Sequence, residues 1–161
     1  MGKHFKYFFF SFILMNVQTY ISQLISLRDI SPDLLLIWLV YIAIKEGQMT
    51  GTIWGFVIGL MFDLSSGSFT GLSAMSKTIA GFTAGYFFDE NRAPLTLGSY
   101  RYVLIVLFVS LIHNTVYFII LTRGSDIGLL KATFQIGLAT NFYTSAVALL
   151  PMFVFGRKYI S

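Results

Sequence analysis

Six apolar runs joined by short connections leave this chain few ways to fold. They cover residues 7–27, 34–44 (extendable back to Pro32), 50–64, 72–88, 102–121 and 132–155. A helix rises about 1.5 Å per residue, so crossing the roughly 30 Å hydrocarbon core takes about 20 residues. The first, fifth and sixth runs reach that length. The second and third are short; each either spans a thinned bilayer or turns back among its neighbours. The connections, 28–31, 45–48, 65–70, 89–99 and 123–131, are too short to form domains. Only 11% of residues are charged, against roughly a quarter in soluble domains. The expectation is an all-α integral membrane bundle of about six transmembrane helices, five being the alternative, in one domain over residues 1–161. In the second run, Pro32 suits the first helical turn and Ser31 the N-cap before it.

Charge placement gives an orientation. With six spans, one side carries Lys3, Lys6, Lys45, Arg92, Arg101, Arg157 and Lys158, seven in all, and the other carries Arg28, Arg123 and Lys131, three. That bias puts both termini in the cytoplasm. The net charge of +4 is scattered between apolar runs and makes no polar face for nucleic acid. The basic start followed by an apolar run has the outline of a signal peptide, but the run is too long and holds Asn16, Gln18 and Gln23. The chain has no cysteine, which removes disulfides and thiolate chemistry.

Glycines recur every four residues at Gly47, Gly51, Gly55 and Gly59, and the count continues through Asp63 to Gly67 and Gly71. Four residues is one helical turn plus about 40°, so the third run carries a slowly winding groove. Gly81 and Gly85 repeat the spacing in the fourth run. Lipid gives helices no hydrophobic reason to associate, and small residues let backbones approach closely instead. The groove packs either within the bundle or against a partner's helix.

Asp63 ends the stripe. It either braces the turn from Ser65 to Gly71 by accepting backbone N–H groups or pairs with Lys77, the cation inside the fourth run. Ser110, His113, Asn114 and Tyr117 share one face of the fifth run. Asn16, Thr19 and Gln23 share a face of the first, and Gln135, Asn141, Thr144 and Ser145 lie along the sixth. Such groups either bond across helices in the interior or line a small-molecule pocket. Phosphate-loop, nucleophile-elbow and zinc-protease motifs are missing, and the carboxylates are dispersed. The sequence therefore suggests no enzyme, no metal and no cofactor.

The stretch from Pro32-Asp33-Leu34-Leu35-Leu36, through Gly51, Trp54, Gly55, Phe56, Gly59 and Asp63-Leu64, to Ser66-Gly67 and Gly71-Leu72 resembles the rod shape-determining protein MreD family. The resemblance is detailed over about sixty residues and carries Pro32, Gly51, Gly55, Gly59, Asp63, Gly67 and Gly71. It implies a non-enzymatic scaffold in the bacterial inner membrane. Its partners would be an MreC-like bitopic protein, a RodA-like glycosyltransferase with its transpeptidase, and MreB, in support of peptidoglycan synthesis and cell shape. The family is also similar in its six-helix fold to the substrate-binding subunits of energy-coupling-factor vitamin transporters. A transport subunit is therefore the alternative.

Overall fold

The computed structural model describes residues 2–25, 32–67, 71–122 and 137–160. Its helices are α1 (Gly2–Ile25), α2 (Leu34–Glu46), α3 (Gln48–Ser66), α4 (Leu72–Ala84), α5 (Ala93–Leu97), α6 (Tyr100–Thr122), α7 (Leu138–Val147) and α8 (Leu149–Ile160). Among the described residues, two helices are long and apolar enough to cross a membrane, Gln48–Ser66 and Tyr100–Leu121. The expected caps and polar positions at Ser31 and Gln135, and the basic residues Arg28, Arg123 and Lys131, lie outside the described residues.

At the centre stands α2. Its sequence is apolar on nearly every side, and most of the helix is buried, Leu34, Trp38 and Tyr41 on one side only partly so. Leu36, Leu39, Val40, Ile42, Ala43 and Ile44 have no exposed surface. The helix starts two residues later than Pro32 suggests. Asp33 is the N-cap, its Oδ1 accepting from the Leu36 N–H at 2.9 Å, so Pro32 precedes the helix instead of opening it.

α1 lies antiparallel to α2. Its buried side chains Tyr7, Ser11, Met15 and Gln18 follow each other by four, four and three residues, which is one helical face. They meet α2 in reverse order. Tyr7 donates to Glu46, Trp38 donates to Ser11, and the Leu35 N–H donates to Gln18. Asn16 falls off this face. It is exposed, its Nδ2 bonded to the Phe12 carbonyl of its own helix. The interior position expected for it is therefore corrected. Polar spacing gives the period of a helix, whereas the phase comes from what the helix packs on. The rest of α1 presents Phe5, Phe8, Phe9 and Phe12 outward, a surface suited to lipid.

One residue, Gly47, joins α2 to α3 with φ +96°, a backbone that side chains resist. From there α3 and α4 run antiparallel as the most extensively packed pair. The fourth apolar run does not stay α-helical to residue 88. It tightens at Gly85–Phe87 into one 3₁₀ turn. The stretch 89–99, read as a connection, contains α5, with Pro94 in its first turn where the missing N–H costs little. Among its described residues, the sixth run is likewise broken at Ala148, into α7 and α8. Pro151 has no N–H to return to the Val147 carbonyl, which accounts for the break there.

These contacts sort the bundle into two ends. Lys3 meets Glu46, Gln48 meets Gly85, and Gly98 meets Gly156 at one end. Asp33, the α3–α4 turn and Asn114 belong to the other, toward which Lys77 extends from mid-helix.

Candidate functional site

The glycine stripe is spent inside the bundle. A Cβ built on Gly51 would lie 2.8 Å from the Gly81 carbonyl oxygen, on Gly55 2.3 Å from that of Lys77, and on Gly59 2.4 Å from the Ala74 Cα. From the other side, a Cβ built on Gly81 would overlap the Gly51 carbonyl oxygen, and one built on Gly85 would overlap the Gln48 Cα. Gly47 lies beside the Phe88 ring. The α3 face that these glycines make is therefore covered by α4, and the alternative of a groove open to a partner's helix is corrected.

Asp63 braces the turn. Its carboxylate is 1% exposed and accepts three backbone N–H groups: Gly71 at 2.8 Å, and Ser73 and Ala74 at 3.1 Å. The last two are orphan donors in the first turn of α4, where a negative charge is also favoured by the helix dipole. Gly67 caps α3 with φ +63° and Gly71 precedes α4 with φ +108°, both left-handed. The alternative pairing of Asp63 with Lys77 does not form. Lys77 is hydrogen-bonded instead to Asp33 Oδ2. Sequence reading missed Asp33 as a partner, because beside Pro32 it looks only like a helix cap. The available signal was stoichiometric: a membrane lysine needs an anion, and Asp63 was already claimed by its turn.

Around that ion pair the interior is polar. Asn141 Oδ1 accepts from Ser110 Oγ and from Asn114 Nδ2, both at 2.6 Å. With its amide group so directed, Asn114 turns Oδ1 toward His113 Nδ1 at 3.3 Å. An amide oxygen only accepts, so a hydrogen bond at this contact is donated by His113 Nδ1. The Asp33 N–H donates to Thr144 Oγ1 at 3.2 Å, tying α2 to α7. Of the interior polar residues expected from the sequence, Lys77, His113, Asn114 and Asn141 come together and Asn16 does not.

A cavity of about 220 Å³ opens beside them, lined by Gln18, Asp33, Lys77, His113, Asn114 and Tyr117 among others. A second, apolar recess of about 530 Å³ lies between α1, α2, α6, α7 and α8, with Phe10, Leu14, Trp38, Tyr41, Leu150 and Val154 in its walls. At the opposite end of the bundle, Glu46 receives the Lys3 ammonium at 2.6 Å and the Tyr7 hydroxyl at 2.8 Å. Burial pushes the Glu46 carboxyl up, but these two donors outweigh it and hold the group below its usual range. Among the described residues, no three His, Asp or Glu side chains gather as a metal-binding set.

The model of one protein family, described as rod shape-determining protein MreD, matches residues 3–159. No curated protein and no solved structure matches this chain.

Proposed function

Because this chain belongs to the rod shape-determining protein MreD family, a family of bacterial membrane proteins with a role in rod shape determination, we propose that it acts as a non-enzymatic scaffold of the cell-elongation machinery. The family match over residues 3–159 carries this reading. In it, the chain crosses the inner membrane about six times with both termini cytoplasmic. Lys3, Lys6, Lys45, Arg92, Arg101 and Arg157 all belong to the Lys3–Glu46 end of the bundle, where the positive-inside bias puts the cytoplasm. The polar cavity then faces the outer leaflet.

The partners in this reading are an MreC-like bitopic protein and, through it, a RodA-like glycosyltransferase, its transpeptidase and MreB. With the glycines covered, the place for a partner's transmembrane helix is the apolar recess walled by Phe10, Trp38 and Leu150. Its lining offers a helix shape and dispersion contacts with few polar demands. The vitamin-transport alternative has a polar cavity in its favour. At about 220 Å³, however, that cavity is below the roughly 300–1,000 Å³ of pockets that enclose drug-sized ligands.

A mild-detergent pull-down followed by mass spectrometry tests the proposal. Recovery of MreC-like and RodA-like proteins is expected, and Leu150→Trp, a change at an exposed wall of the recess, is expected to reduce it without unfolding the chain. Recovery of paired ATPases with a coupling subunit would replace this reading with the transport one.

A further inference from the structure

At the Lys3–Glu46 end, the turn at residues 89–92, helix α5 and the start of α6 surround a cleft of about 360 Å³, walled by Phe87, Asp89, Arg92, Thr96, Arg101 and Leu104. Its frame is anchored. The N–H groups of Arg92 and Ala93 donate to the Asp89 carbonyl at 3.1 and 2.8 Å. Ala93 and Leu97 are buried side chains of α5, and Gly98 brings its backbone against Gly156 of α8. Arg92 and Arg101 thus stand on either side of a fixed element.

Charge in the cleft does not cancel. The Asp89 carboxylate lies 3.8 Å from Arg92 Nε, beyond hydrogen-bond reach, and its other oxygen accepts from the Asn91 N–H at 3.0 Å. Among the described residues no carboxylate pairs with Arg101. Glu90 is not in the walls. Two guanidinium groups against one carboxylate leave a single positive charge. Arg101 also sits in the first turn of α6, where the helix dipole opposes a cation and favours an anion.

Beyond the arginines the surface turns apolar. Leu104 and Phe108 follow Arg101 along one face of α6. Both are exposed, and exposed Phe87 meets the Phe108 ring edge-on at 6.3 Å between centroids. Because α6 is long and apolar enough to cross a membrane, its first turn falls at headgroup level and the next two turns among the acyl chains. Tyr86 and Tyr100, both exposed, suit the same interface.

A surplus cation above an apolar strip is the complement of an anionic phospholipid. Each guanidinium can meet two phosphate oxygens at once. A free anion would use the arginines but not the strip, and a zwitterionic lipid brings its own cation to a cleft that is already positive. We propose that this cleft binds an anionic phospholipid, its phosphate held by Arg92 and Arg101 and one acyl chain laid along Leu104 and Phe108. Phosphatidylglycerol, a monoanion, matches the single surplus charge, and basic pockets at helix ends are known to take such headgroups. The proposal rests on the chain's place in the membrane and not on the partners above, because its test reads bound lipid and not a retained protein.

The test is native mass spectrometry of the full chain in mild detergent, titrated with dioleoyl phosphatidylglycerol, dioleoyl phosphatidylethanolamine or the chainless headgroup glycerophosphoglycerol. Wild type is expected to bind phosphatidylglycerol saturably and ahead of phosphatidylethanolamine. Arg92→Gln with Arg101→Gln is expected to weaken that binding about tenfold or more. Lys6→Gln with Lys45→Gln removes equal charge at the same end and is expected to leave it intact. All four side chains are exposed, so both double variants are expected to melt as wild type does. Equal binding of the two lipids, or an equal loss in both double variants, would overturn the proposal by reducing the arginines to general surface charge. Displacement of the lipid by glycerophosphoglycerol at equal concentration would overturn it in favour of a free-anion site.

Discussion

Lys77 of α4, itself buried, and Asp33 at the cap of α2, largely buried, form an ion pair across 44 residues of sequence. Asp33 is held from three directions: its Oδ2 accepts from Lys77, its Oδ1 from the Leu36 N–H, and its own N–H donates to Thr144. One residue therefore fixes the start of α2 against both α4 and α7. Removing one member of such a pair strands a buried charge, at a cost of about 3–5 kcal/mol. Lys77→Met is expected to lose stability on that scale in thermal or denaturant unfolding in mild detergent. The double variant Asp33→Asn with Lys77→Met removes both charges and keeps an N-cap residue. It is expected to be more stable than Lys77→Met alone; equal stability would mean that the charges are not coupled.

The glycines predict two different penalties for the same substitution. At Gly55 an added Cβ meets the Lys77 carbonyl oxygen at 2.3 Å, and backbone cannot rotate away. Gly55→Ala is expected to push α3 and α4 apart and cost at least about 1–3 kcal/mol, and Gly55→Leu more. At Gly67 nothing lies within 4 Å, but φ is +63°. Gly67→Ala is expected to cost about 1–2 kcal/mol through backbone strain alone. A Gly55→Ala protein with wild-type melting would remove the backbone contact from this account.

Asp63 makes a sharper case. Three N–H groups converge on one carboxylate that is 1% exposed. Asparagine has one acceptor oxygen, and its amide hydrogens would face other donors. Hydrogen bonds to charged groups are worth about 1.5–3 kcal/mol each, so Asp63→Asn is expected to cost about 3 kcal/mol or more. The loss should appear as faster amide hydrogen exchange at Gly71, Ser73 and Ala74. Exchange there unchanged from wild type would show that the turn holds without its brace.

What the sequence made legible was local and periodic. The four-residue glycine spacing and the position of Asp63 just before a Ser-Gly turn each follow from residues within two helical turns. On α6, helix period alone puts His113 and Asn114 on the side of Ser110, and all three are buried. The misses share another cause. Asn16 and Gln18 are two residues apart on α1, and only the packing of α1 on α2 decides that Gln18 points in. Lys77 could reach Asp63 by chain distance, yet Asp63 was saturated by backbone donors, so the lysine found an anion far off in sequence. Breaks at Gly85 and Ala148 interrupt runs whose hydropathy is continuous. Hydropathy reports affinity for an apolar medium and is silent about which turn of a helix stops bonding.

Glu46 gives the bundle a pH-dependent clamp at the end opposite the cavity. It lies past the second apolar run, and Lys3 and Tyr7 of α1 both donate to it. Burial acts to raise its carboxyl, but those donors prevail and hold it below its usual 4.5. A carboxyl lowered in the folded state adds stability above its unfolded value and loses it as pH falls through the folded one. The Lys3 side chain is 60% exposed, so solvent screening keeps the contribution to about 0–1 kcal/mol. Glu46→Gln is therefore expected to melt slightly below wild type at neutral pH, and the gap should shrink with added salt. It should close as the pH drops past the lowered carboxyl value, because wild-type Glu46 is then protonated and resembles the glutamine. A gap that stays constant from neutral to acid would assign the effect to packing of α1 on α2 and not to charge.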